Sequence, residues 1–411
     1  MTTISKKHYL VLLAAFLGWM FDGFEQGLFP IAARPALQDM FTGVGLVDKF
    51  VGGWMGIITA GFLLGAALGG WVFGWLGDRL GRVRAMALSI LVYSLSSGFA
   101  YFARQPEDLF VFRFFGALGM GGEWSLGVAL VMEVWPDHLR PLMAGLIGAA
   151  ANVGYLLVGI MAKTIAVTPD SWRWVWLVGA LPALLVFFIL YFVPESERWQ
   201  AEVKKAPSAP LREIFGPTYL KNTLLGILFA SVALIGTWGS VQWLPLWVDQ
   251  LVGKDFPTAK GDVGILCALG AICGCIVGPL VGGKFGRRPA YFLLCFCSLF
   301  LCQFLFRSGL EYGGLFRLLL FGVGFSTAAF YGWFPLFLPE LFPTRSRATG
   351  QGVCFNTGRV FAAVASVSSG QLVASFDGNY ARAGAVVTLV YLVGMVIIWF
   401  APETKGKPLP D

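Results

Sequence analysis

Two carboxylates, Asp22 and Glu25, stand in the stretch Gly18-Trp-Met-Phe-Asp-Gly-Phe-Glu-Gln-Gly-Leu-Phe-Pro30. An apolar run, 9–17, precedes it and Ile31, Ala32 and Ala33 follow. The whole segment is long enough to cross a bilayer, for which about 20 apolar residues suffice. Three residues apart on a helix, the two acids project from one face and form a single pair. An acidic side chain near mid-bilayer costs roughly 2.5–3.5 kcal/mol on insertion scales, so such groups face a bundle interior or a wet cavity. The chemistry this suits is reversible proton binding, with the pair titrating as a unit. Both histidines, His8 and His138, sit at segment ends, so any buried proton carrier must be a carboxylate.

The charges that could answer this pair are few. Arg113 and Glu123 share the fourth apolar segment, which runs opposite to the first. Depth counting at about 1.5 Å per residue puts Arg113 in the outer half, level with Glu25, as its expected counter-ion or as a structural ion pair near the surface. Glu123 lies ~15 Å deeper and is either a second protonatable site or a neutral carboxyl at a kink around Gly121 and Gly122. In the second half Arg359 sits midway along the eleventh segment, with no acid well inside any segment from the seventh on. It needs an anion from elsewhere, either a substrate carboxylate held bidentately or one of Asp22, Glu25 and Glu123. Trp124, Asn152, Trp238, Gln242, Tyr331 and Asn356 lie at cavity depths. Singly each reads as helix packing; together they offer the few polar groups and stacking walls of a small-molecule pocket.

These residues need a membrane bundle to position them. The 411 residues are 57% hydrophobic and 13% charged, with mean hydropathy +0.73, which excludes a soluble globular class. Twelve helical spans are expected, near 9–33, 52–76, 84–103, 108–132, 142–166, 172–193, 222–249, 262–283, 290–307, 314–338, 349–372 and 382–400. A cleavable signal is not expected, because the first apolar run is too long and lacks a small-residue cleavage site. The net charge of +7 gathers in alternate short loops, the positive-inside pattern, so it points to a lipid bilayer and not to nucleic acid. Both termini are then cytoplasmic, and isolated charges such as Lys49, Arg104, Lys254 and Arg382 fall on the other side. The seven cysteines lie in apolar runs as small hydrophobes; no metal or cofactor is expected, and no nucleophile–base pair suggests an enzyme.

The chain repeats itself. Gly81-Arg82 returns as Gly286-Arg287, Glu133-x-x-Pro136-x-x-x-Arg140 as Glu340-x-x-Pro343-x-x-x-Arg347, Asn152-Val-Gly154 as Asn356-Thr-Gly358, and Pro194-Glu-Ser as Pro402-Glu-Thr. The repeat implies two six-helix units, 1–196 and 221–411, joined by a polar linker at 197–220. Gly61, Gly65, Gly69 and Gly116 to Gly122 are spaced for close helix contact.

Gly74-Trp-Leu-Gly-Asp78-Arg79-Leu-Gly81-Arg82-Val-Arg84 resembles the signature between spans two and three of the major facilitator superfamily, whose two parallel repeats match this layout. Asp78 could accept from a neighbouring helix end or an arginine and latch one side of the bundle. In the second copy Gly283 replaces the acid, so the first copy should carry the stronger latch. With Asp22-Gly-Phe-Glu25, Gly119-Met-Gly-Gly-Glu123-Trp124 and Phe355-Asn356-Thr-Gly-Arg359, the chain is most similar to metabolite–proton symporters of the sialate and lactate branch. Its first-span pair, Asp and Glu, departs from the two Asp of the sialate type. The resemblance implies an all-α major facilitator fold, a monomer in the plasma membrane, and proton-coupled uptake of a small organic anion by alternating access. An uncoupled sugar or metabolite facilitator, a drug/proton exporter and a transport-incompetent nutrient receptor are the competing readings.

Overall fold

In a medium without water every backbone polar group must be satisfied within its own segment, which leaves helices as the spanning element. The computed structural model describes residues 4–41, 47–165, 167–205, 209–252, 255–256 and 258–410, and these contain helices and no strands. Ala166, Pro207 and Lys254 lie outside the described residues. The first half comprises α1 (Lys6–Met40), α2 (Val47–Leu80), α3 (Arg82–Phe99), α4 (Pro106–Val134), α5 (Arg140–Thr164), α6 (Arg173–Gly179) and α7 (Ala183–Phe192). The polar linker forms α8 (Glu197–Lys205) and α9 (Pro210–Ile214). The second half comprises α10 (Leu220–Gly239), α11 (Leu244–Val252), α12 (Ala259–Phe285), α13 (Arg287–Arg307), α14 (Gly314–Phe337), α15 (Arg347–Ser375), α16 (Tyr380–Val387) and α17 (Val390–Ile397).

Each of the twelve expected spans has its helix. The sixth is broken between α6 and α7, where Pro182 removes a donor, and the twelfth is broken at the equivalent place between α16 and α17. Ten of the twelve are long and apolar enough to cross a membrane on composition alone. The two that fall short are α1 and α15. They carry Asp22 and Glu25 on one side and Arg359 with a run of Gly, Ser and Thr on the other. The helices with the weakest membrane signature are those that bear the candidate site.

Helix α2 lies along α15, and α5 lies along α12 and α14, so the halves meet through these five elements and α4. One apolar core unites both halves and includes Trp124, Phe355 and Trp333. Toward the far side from the basic loops this continuity ends. There Leu28, Ile58 and Trp176 belong to a core made of first-half residues, whereas Leu244, Phe306 and Phe316 belong to one made of second-half residues. The halves are therefore joined on the side of the basic loops and at the centre, and carry separate cores beyond it.

Candidate functional site at the centre of the bundle

Helix α1 brings Asp22 and Glu25 into the interior, where both are buried. Glu25 is neutralised: Arg113 of α4 donates from Nη1 to Oε1 at 2.6 Å, and its guanidinium lies between the rings of Phe29 and Phe62. Depth counting on the sequence put these two at one level. Asp22 differs. Its side chain is fully buried, and neither carboxyl oxygen has a hydrogen-bond partner in the protein. Among the charges acting on it, that of Arg359 in the opposite half is the largest.

Glu123 of α4 is likewise buried, with both oxygens unpartnered. It occupies the space beside Gly18, one turn below Asp22 on α1. A Cβ at position 18 would stand 1.5 Å from Glu123 Oε1, so only glycine leaves room for this carboxyl. Asp22 is the charge that acts on it. Trp19, Tyr93 and Trp124 contribute further polar atoms that are buried without partners nearby.

On α15, Arg359 is half-buried, lies over Phe355 and donates from Nη1 to Asn356 Oδ1 at 3.0 Å. No direct ion pair joins it to Asp22, Glu25 or Glu123 among the described residues. Asn356 is fully engaged, since its Nδ2 donates to Gly121 O of the other half and to Gly352 O. Phe355 stacks on Trp124 with centroids 4.3 Å apart and meets Tyr331 edge-on, which closes the centre on the basic side. Asn152 contacts Cys275 Sγ across the halves at 3.7 Å. Trp238 is half-buried against the shared core, and Gln242 is exposed in the single turn between α10 and α11.

Sequence reading overlooked one polar pair here. Tyr155 of α5 donates to Gln26 Oε1 at 2.9 Å. Tyr155 lies within the field of Asp22, Arg359 and Arg113. The signal was present: Gln26 follows Asp22 by one helical turn, and Tyr155 follows Asn152 by three residues.

On the basic side the repeated residues converge on two networks of one design. In the first, Gly81 takes φ 103° and Gly286 takes φ 106° in the second, a backbone region open to glycine. Arg82 then donates to Gly77 O and Glu133, and Arg287 donates to Gly282 O and Glu340. The carboxylate of Glu195 caps α3 at Val83 N, and that of Glu403 caps α13 at Arg287 N and Arg288 N. The two caps titrate in opposite senses. Burial holds the Glu195 carboxyl above its ordinary range, while at Glu403 a smaller burial is outweighed by the N–H groups of Arg287, Arg288 and Lys405, which hold it below.

Between halves the networks are unequal. Asp78 accepts from Ala348 N at 3.3 Å, Thr349 N at 2.8 Å and Thr349 Oγ1, and pairs with Arg82 at 2.9 Å. The first turn of α15, whose own N-cap residue makes no cap bond, is thus capped from the other half. Glu133 Oε1 accepts from Arg82 at 3.0 Å and from Arg347 of α15 at 2.9 Å, all three being fully buried at the side chain. Arg82 also donates to Thr344 O across the halves. In the second copy Gly283 packs on Pro141 without an acid, and Arg140 pairs locally with Asp137. Gly74 lies against the start of α15. Arg79 takes no part: it is exposed and lies over Trp75.

This arrangement of two matched six-span units around a central charged site can be set beside known proteins. A sequence profile of the Major Facilitator Superfamily matches residues 10–367. The chain belongs to the Major Facilitator Superfamily. Superfamily members are transporters, and this chain is not an enzyme. It is 30% identical over 96% of its length to the probable 4-methylmuconolactone transporter of Cupriavidus pinatubonensis, 90% of which is covered. It is 27% identical over 96% of its length to the sialic acid transporter NanX of Escherichia coli, with 94% covered. Among solved structures, the proton:xylose symporter XylE superposes with a TM-score of 0.79 at 18% identity, over 98% of each chain. That likeness is one of fold. The chain is a multi-pass membrane transporter of this superfamily and is similar in sequence to metabolite transporters.

Proposed function

We propose that this transporter imports a small organic anion together with protons by alternating access. One observation carries the reading: a buried, partnerless carboxyl on one half, Asp22, is under the charge of a half-buried arginine on the other, Arg359. An anion arriving at Arg359 cancels the largest positive charge acting on Asp22, so proton and substrate binding reinforce one another through one electrostatic interaction. Glu25 is already compensated by Arg113, which leaves Asp22 and Glu123 to carry protons. Arg359, Arg113, Asn152, Tyr331, Trp124, Trp238 and Gln242 supply the substrate contacts, with Asn356 holding Arg359 in place.

The basic loops are cytoplasmic by the positive-inside pattern, so this structure is closed on the cytoplasmic side. Asp78, Arg82, Glu133 and Arg347 form the inner gate, with Gly74, Gly81, Arg140 and Glu340 in its supporting turns, and Arg79 stands outside it. The protein works as a monomer in the plasma membrane with both termini inside. NanX and the methylmuconolactone transporter handle small organic acids or their derivatives by name, which supports a carboxylate as cargo. The test is uptake into proteoliposomes under an imposed pH gradient, across monocarboxylates, sialic acids and neutral sugars. Uptake that ignores the gradient makes the protein a facilitator, and movement against inward proton flow makes it an exporter.

A further inference from the structure

The chain after α17 has a role that none of the sequence motifs announced. From Pro402 it runs without helix across the basic side to the junction of the halves. Glu403 caps α13, Thr404 Oγ1 donates to Glu340, and Lys405 Nζ donates to Lys284 O at the end of α12. Beyond this anchorage Leu409 is buried at 4% exposure in the core that both halves share. Pro410 O then accepts from Arg347 Nη2 at 2.7 Å and from Thr344 Oγ1 at 3.3 Å. Both donors touch the gate: Nη1 of Arg347 holds Glu133 of the first half, and Thr344 O accepts from Arg82. Prolines at 402, 408 and 410 restrict φ along the segment, so little chain freedom is lost in holding it there. The first repeat has no equivalent, because after Ser196 the chain enters α8 and Arg140 pairs with Asp137 instead.

We infer that residues 408–410 are a positioning strap for Arg347: they hold its guanidinium in the cross-half ion pair with Glu133 and so set how often the cytoplasmic gate opens. The inference rests on the reading of Glu133 and Arg347 as a gate. Pro410 and Arg347 lie in the same half, so the strap acts through placement. Without it the guanidinium swings away from Glu133, and weakening that cross-half charge-assisted bond, which exists only when the halves are closed, shifts the closed-to-open ratio by up to roughly tenfold.

The experiment measures the distance between spin labels at Arg84→Cys and Lys221→Cys, exposed positions on opposite halves of the basic side, with native cysteines replaced. Three changes are compared: deletion of 408–411, Leu409→Asp at full length, and Glu133→Gln as the direct break of the gate. If the deletion and Leu409→Asp lengthen the distance as Glu133→Gln does, the strap is supported. A longer distance in Glu133→Gln with no change in the other two overturns the strap and leaves the gate standing. No change in any of the three overturns the gate and the strap together. A proline-to-alanine change at 410 keeps the carbonyl and should leave the distance distribution unaltered; an opening there would also overturn the assignment.

Discussion

Asp78→Asn should unlock the side of the basic loops while leaving each half intact. The carboxylate receives two backbone N–H groups and one hydroxyl from α15 on one side and Arg82 on the other. An amide of the same shape keeps one acceptor oxygen. Its NH2 group is turned either toward the donors of Ala348 and Thr349 or toward the Arg82 guanidinium, and both are repelled. Hydrogen bonds to charged groups contribute about 1.5–3 kcal/mol each but are not additive, and loss of a cap costs about 0.5–2 kcal/mol. The bonds to α15 exist only when the halves are closed, so their loss falls on the closed state alone. Taking about 2–3 kcal/mol for the set, the closed-to-open ratio falls by roughly 30- to 140-fold. Arg82 keeps Glu133 and Gly77 O in either state, so helix content and thermal stability should change little. The label pair at 84 and 221 reads the opening directly. An unchanged distance distribution, with the protein folded, would refute the view that Asp78 ties the halves together.

Arg359→Gln should weaken binding of carboxylates by roughly 10- to 100-fold, the worth of a charge-assisted bond, and neutral analogues far less; equal losses in a binding titration would make the arginine structural. Gly18→Ala should abolish transport, because its Cβ occupies the position of the Glu123 carboxyl. Gly18→Ala/Glu123→Ala removes the clash and should give a parent-like size-exclusion profile, yet lack proton coupling. Glu403, whose carboxyl is held low by backbone donors, stabilises the fold at neutral pH. That contribution is present above the ordinary carboxylate pKa and lost as pH falls through the lower folded value. Melting temperatures of Glu403→Gln and the parent should therefore converge in acid; parallel curves would show that the cap does not titrate as described.

The twelve spans were legible because twenty apolar residues have few other uses, and the repeat because three of its motifs build one physical device written twice. Gly81-Arg82, Glu133 and Pro194-Glu-Ser are far apart in sequence yet make one network, as do Gly286-Arg287, Glu340 and Pro402-Glu-Thr. The Glu25–Arg113 pair followed from helix rise alone, since rise converts residue number into depth. An acceptor role for Asp78 toward a helix end or an arginine was legible; the identity of the partners across the halves was not. The capping of α15 by Asp78, the pairing of Asn356 with Gly121 and the docking of Pro410 on Arg347 depend on how two rigid units meet, which no local period encodes. Gln26 and Tyr155 were missed for a simpler reason: uncharged polar residues inside a span carry too weak a membrane penalty to stand out.

Coupling by the proposed mechanism requires Asp22 as the proton site. Purified Asp22→Asn, reconstituted in vesicles with an inward proton gradient, should exchange labelled for unlabelled substrate but fail to accumulate it. Accumulation that still grows with the imposed gradient would contradict the account.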